Sequence, residues 1–145
     1  MKKLYILSIL AGMVILLASC GADLNKVSSE MRPAVQGMSA VIDIASLQIT
    51  AAQSAEEAAA IIKETAGKMK LIIIEMKDIE KKYNLTPEES KKLVKMLKTD
   101  YNTVGKVLVT LNSNINIVLE KYNDNPKMVE KLLDALLSLR EIGNM

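Results

Sequence analysis

The sequence predicts an all-α fold, an elongated antiparallel up-and-down bundle of about four helices with heptad-like seams. Three observations predict it. The apolar half of the chain is almost entirely aliphatic, Ala and Met, with four Tyr and neither Phe nor Trp, a mixture that favours helix over sheet. Apolar residues recur at alternating steps of three and four along most of the chain, as one face of a helix requires. The interruptions between these stripes are short and carry helix-capping residues. At 145 residues, there is room for one domain with one core, assigned to 31–145.

The first helix is expected over 31–52, with Met31, Val35, Met38, Ile42, Ala45, Ile49 and Ala52 on its apolar face and Pro33 in its first turn. A second stripe, Ile62, Thr65, Met69, Ile72, Met76, Ile79 and Tyr83, is out of phase with the first and places a second helix over 54–83. Ser54 and Glu57 have the spacing of a capping box, which favours a turn between the two helices. The alternative over 50–58 is a continuous helix with a phase stammer, since that stretch is Ala-rich and lacks Gly and Pro. The third helix, 87–122, starts at Thr86-Pro87 with Glu89 completing a capping box. Its stripe is Val94, Leu97, Tyr101, Val104, Leu108, Leu111, Ile115, Val118 and Tyr122. A hairpin around Asn112-Ser113-Asn114 competes with it, but the unbroken seven-residue phase argues for helix. At ~1.5 Å per residue this helix would be ~54 Å long. Asp124-Asn125-Pro126 starts the fourth, over 126–142, with Asn125 as cap and Val129, Leu132, Leu133, Leu136 and Leu137 facing inward. Short connections imply antiparallel neighbours, and the shorter last helix leaves part of an apolar groove open to a partner.

Ahead of the bundle, Met1-Lys2-Lys3 supplies a positive start, and Leu4 to Leu17 is apolar except for Ser8 and Gly12. This is secretory signal anatomy, and the run is shorter than the ~20 residues that span a bilayer core. Leu17-Ala18-Ser19-Cys20 closes it. These residues resemble the lipobox of bacterial lipoproteins, a resemblance covering roughly the first 21 residues. It implies a signal peptide over 1–19, cleavage between Ser19 and Cys20, and diacylglycerol on the Cys20 sulfur, with acylation such as palmitate anchoring the chain to a membrane. Residues 20–30, small and polar, then read as a lipidated tether. Gly21 after the cysteine, rather than Asp, implies the outer membrane in a two-membrane cell and the outer face of the cytoplasmic membrane otherwise.

Composition narrows the chemistry further. The chain has no His, removing the commonest general base and nitrogen ligand for metals. Cys20 is its one cysteine, so no internal disulfide or multi-cysteine metal site forms within one chain. Without Lys2 and Lys3 the 19 basic and 17 acidic residues become 17 of each, which argues against nucleic acid as a partner. No catalytic residue, cofactor or metal is expected. Glu56, Glu57 and Glu64, or Glu75 and Asp78, read as solvated helix faces, with Glu64–Lys68 and Asp78–Lys82 as i,i+4 pairs. Asn112, Ser113, Asn114 and Asn116 read as exposed polar filler. The seam methionines Met38, Met69 and Met76 read as core, with an adaptable ligand groove as the alternative. A locally basic tip gathers Lys81, Lys82, Lys91, Lys92 and Lys95 around one helical hairpin end, suited to anionic headgroups, wall polymers or an acidic protein face. The function these features favour is a non-enzymatic, membrane-anchored envelope lipoprotein that acts as a structural or protein-interaction module, with a protein partner or self-association. The alternative is a lipoprotein that carries an apolar ligand between its helices.

Overall fold

The structure is a computed structural model that describes residues 21–142 and Met145. The signal segment and the lipobox, Ser19 and Cys20 included, lie outside the described residues. Every regular element among the described residues is helical: α1 Leu24–Ala51, α2 Ala55–Lys82, α3 Pro87–Met96, α4 Lys98–Lys121 and α5 Pro126–Ile142.

Helix α1 begins seven residues before the expected start, inside the segment assigned to the tether. Asp23 is the reason: its Oδ1 accepts from the amides of Asn25 at 3.1 Å and Lys26 at 3.3 Å, satisfying two of the free donors of the first turn. Val27, fully buried, extends the stripe one turn back from Met31. Pro33 therefore sits inside the helix rather than in its first turn. The carbonyl its ring leaves without the i→i−4 donor belongs to Ser29, an exposed residue. By length and composition α1 is also the one described helix that meets the requirements of a membrane span. Its apolar side, however, is buried against the other helices.

Between α1 and α2 the chain turns at residues 52–54, with Ala52 and Ser54 extended. Ser54 Oγ accepts from the Glu57 amide at 3.1 Å, and Glu57 Oε2 accepts from the Gln53 amide at 2.7 Å, one residue earlier than a standard capping box would have it. At the far end Asn84 adopts a left-handed φ of 48°. The Leu85 amide donates to the Glu80 carbonyl and the Asn84 amide to the Lys81 carbonyl, which is a Schellman closure with Asn in place of Gly. Two residues later Thr86 and Glu89 form the predicted capping box of α3.

The helix expected over 87–122 is bent into α3 and α4 at Leu97, where φ is −96° and ψ 13°. The i→i−4 bonds run on through the bend: the Leu97 amide donates to Leu93 and the Tyr101 amide to Leu97, both at 3.0 Å. The bend shifts the phase of the stripe. Leu93 and Leu97 are buried, whereas Val94, expected on the seam, is half exposed.

Chain direction alternates along the bundle, but of the expected antiparallel neighbours only α1 and α2 pack closely on each other. Helix α1 packs on α2 and on α4, and α2 packs on α5, whereas α4 and α5 do not pack closely together. The α1–α4 pair is parallel: Arg32 meets Asp100, Asn114 meets Ser46, and Tyr122 meets Gln53. The α2–α5 pair is parallel as well, with Glu56 on Lys131 and Lys63 on Asp134. A short link fixes reversal of direction, but it does not fix which neighbour is chosen. Helices in contact lie only ~8–10 Å apart, so the 83–86 link reaches across to the side of α1.

The core has two parts. The larger joins Met38, Ile42, Ala45 and Ile49 of α1 to the Ala-rich face of α2, to Leu111, Ile115 and Val118 of α4, and to Leu132, Ala135 and Ile142 of α5. The smaller joins Val27, Met31 and Val35 to Leu93 and Leu97. Leu133 and Leu137, expected to face inward, are 50% and 54% exposed. A short helix packed mainly on α2 buries only one stripe, and Leu132, Ala135 and Ile142 occupy it.

Candidate functional site

Three features carry chemistry beyond core filling. The first is the end of the molecule where the α2–α3 link meets the start of α1. Glu89, the capping carboxylate of α3, accepts from the Thr86 amide and hydroxyl through Oε2, both at 2.9 Å. Its Oε1 accepts from the Ala22 amide at 3.1 Å. These bonds from Thr86, and then that from Ala22, hold the Glu89 carboxyl below its usual range. The contact ties the segment just after Cys20 to the hairpin end that carries the predicted basic tip.

The structure divides that tip. Lys82 does not pair with Asp78, as its i,i+4 spacing suggested, but donates to Glu30 at 2.8 Å, and Tyr83 donates to the same carboxylate at 2.6 Å. Lys82 also stands 5.1 Å over the Tyr83 ring. Glu30 is held low first by the Lys82 bond and then by Tyr83, while the Lys82 ammonium and the Tyr83 hydroxyl are each pushed up by Glu30. Lys81 lies 3.9 Å from Asp78. Lys91, Lys92 and Lys95 stand exposed along α3 and form no ion pair among the described residues. The cationic surface at this end is therefore chiefly α3 and Lys81, with Lys82 committed to Glu30.

The second feature is an apolar cavity of about 420 Å³ at the junction of the two core clusters, reached by all four long helices. Val35 and Met38 of α1, Met69, Ile73 and Met76 of α2, and Val104 and Leu108 of α4 line most of it. Leu139 and Ile142 of α5 close one side, and Tyr101 supplies the one hydroxyl among the lining side chains. Burial, then the charge of Glu80, pushes that hydroxyl above the usual phenol range. All three seam methionines singled out in the sequence line this space. It exists because α4 and α5 lean on α1 and α2 respectively and leave a gap between themselves. That pairing is not readable from periodicity; the signal the sequence did carry was the methionines, for which an adaptable groove was the alternative to core filling.

The third is a buried polar contact. Asn114 does not face outward with Asn112, Ser113 and Asn116; its Nδ2 donates to Ser46 Oγ at 2.8 Å and to the Ser46 carbonyl at 3.1 Å. Ser46 is 2% exposed. A serine inside the apolar face of α1 was the available clue, since a buried hydroxyl demands a partner. Elsewhere, Glu64–Lys68 forms the expected i,i+4 pair at 2.6 Å, and Glu56 is held low by Lys131. Among the described residues no three acidic side chains converge as a metal site would need. In comparisons with known proteins, no family model, no curated protein and no solved structure matches the chain.

Proposed function

We propose that this chain is a lipid-anchored envelope lipoprotein whose helical bundle serves, without catalysis, as a structural or protein-interaction module on the membrane surface. The observation that carries the reading is how early the described fold is tied down, two residues after the Cys20 that ends the lipobox-like Leu17-Ala18-Ser19-Cys20 in the sequence. The Ala22 amide is bound to Glu89 and α1 is capped at Asp23. Two residues of chain reach at most ~7 Å, so lipid on Cys20 would hold the α2–α3 end against the headgroups. Lys81, Lys91, Lys92 and Lys95 then face the membrane, a geometry favoured by an anionic surface. With α3 and α4 taken as one bent rod, the module is a four-rod bundle, and the outer membrane is its expected site in a two-membrane cell. The absence of His from the sequence supports a role outside acid–base catalysis.

The test is the intact mass of protein extracted from membranes of the native host, beside a Cys20→Ala form. A mass beginning at Cys20 with added acyl chains, absent from the variant, is expected. An unmodified or full-length mass overturns the anchor.

A second reading is supported by the 420 Å³ cavity, whose size and apolar lining suit a small apolar ligand. Native mass spectrometry of the membrane-extracted protein is expected to retain a bound lipid or similar molecule if this reading holds. A bare protein mass under conditions that keep the bundle folded removes it.

A further inference from the structure

Helix α5 is apolar on two sides. One side, Leu132, Ala135 and Ile142, is buried in the bundle. On the other, Leu133 is 50% and Leu137 54% exposed, with Val129 and Leu136 half-buried beside them. They floor an open groove of about 950 Å³ with Glu130 towards one end and Arg140 at the other. Both charged residues are exposed, and neither forms an ion pair among the described residues. Ten residues of helix separate them by ~15 Å.

From this arrangement we infer that the outer face of α5 pairs with the same face of a second copy of the chain, antiparallel and centred at the level of Ala135. The inference rests on the interaction-module reading and names its partner. A two-fold contact must be self-complementary, each residue meeting its symmetry mate's counterpart. In this register Leu133 lies opposite Leu137 of the second copy, and Glu130 lies opposite its Arg140, each pairing occurring twice. A parallel arrangement sets Glu130 beside Glu130 and Arg140 beside Arg140, so charge selects the antiparallel one. Antiparallel helices also place opposite macrodipole ends together. One 17-residue helix is a small contact, at the low end of specific interfaces, so confinement of anchored copies on one membrane is what populates the pair. The two α2–α3 ends then point in opposite directions, and the dimer lies along the surface with an anchor at each end.

The test uses the mature full chain reconstituted in liposomes, with cysteines placed at Glu130→Cys and Arg140→Cys, separately and together, under mild oxidation. Disulfide-linked dimer is expected only from the double variant and is expected to vanish when Leu133→Asp is added. Dimer from either single variant means a parallel pair and overturns the register. Because the cysteines remove the ion pairs, energy transfer between dye-labelled copies of the charge-reversed forms in the same liposomes is the second measurement. Glu130→Arg and Arg140→Glu are each expected to weaken dimerisation roughly tenfold, and the combination to restore it. A chain that stays monomeric in both measurements, or a dimer indifferent to reversal, overturns the proposal. The intact mass of the reconstituted chain keeps the two readings apart: acylated protein that does not pair refutes this inference alone, and an unacylated mass refutes the anchor.

Discussion

Filling the inter-helix cavity is expected to stabilise the bundle, and the geometry sets the size of the gain. An enclosed dry void of 420 Å³ at ~24 cal/mol per Å³ would cost ~10 kcal/mol. That rivals the whole ~5–15 kcal/mol by which domains are folded. It is a ceiling, because Leu108 at the rim is 39% exposed and the space opens beside it. Val35→Ile and Val104→Ile each add one methylene to the lining and keep the branched Cβ. At ~0.8 kcal/mol per buried methylene the pair is expected to add ~1.6 kcal/mol, roughly 6 °C in Tm for a domain of this size. The control is Ala58→Val. Ala58 is 0% exposed in the close-packed Ala face of α2, where added volume is expected to cost ~1–3 kcal/mol. Urea unfolding followed by far-UV circular dichroism, with the midpoint read at unchanged slope, measures all three. If both lining variants lose stability as Ala58→Val does, the space is not available to a side chain and the argument fails. Should a bound apolar molecule occupy the cavity, the gain is expected only after delipidation, since the new methylenes compete with the ligand.

The remaining predictions concern single contacts. Asn114→Ala leaves the buried Ser46 hydroxyl without its interhelical donor and is expected to cost ~1–3 kcal/mol in the same unfolding assay, whereas Asn112→Ala is expected to change little. Asn84→Ala places a Cβ-bearing residue without a helpful side chain at φ 48° and is expected to lose ~1 kcal/mol, while Asn84→Gly is expected to be neutral or stabilising, as thermal unfolding will read. Glu30, Glu56 and Glu89 are all held below their usual carboxyl range. Their contribution is therefore present above pH about 4.5 and lost as pH falls through the lower native values, so Tm should drop in acid, and Glu89→Gln should shallow that drop. At the alkaline end Lys82 and Tyr83, both pushed up by Glu30, favour folding below pH about 10 and stop doing so as pH rises through their native values. Glu30→Gln is expected to shallow that alkaline loss.

What could be read from the residues, and what could not, divides along the difference between local and tertiary rules. The boundaries set by local chemistry were legible: Ser54 with Glu57, Thr86-Pro87 with Glu89, and Asn125-Pro126 each solve the problem of a helix end within four residues, and the structure uses all three. The start of α1 was also written in the sequence, in Asp23 and Val27, but reading Pro33 as a first-turn proline obscured it. A proline interior to a helix is costly in isolation, and ten buried residues along α1 outweigh that cost. Periodicity located apolar faces without saying what covers them. It counted Leu133 and Leu137 with Leu132 because all lie within two turns, yet only contact with α2 decides which side of α5 is interior. A helix that needs one apolar stripe and carries two has either a second neighbour or an exposed face, and among the described residues no neighbour takes the place. The same rule accounts for the cavity. The seam methionines keep core spacing, as a filled core and a lined void both require, and the two differ only in whether the fourth rod closes on the third. The bends and links at Leu97 and at 83–86 decide that. They set α4 on α1 and α5 on α2, so the gap between α4 and α5 and the unpaired side of α5 follow from one packing choice.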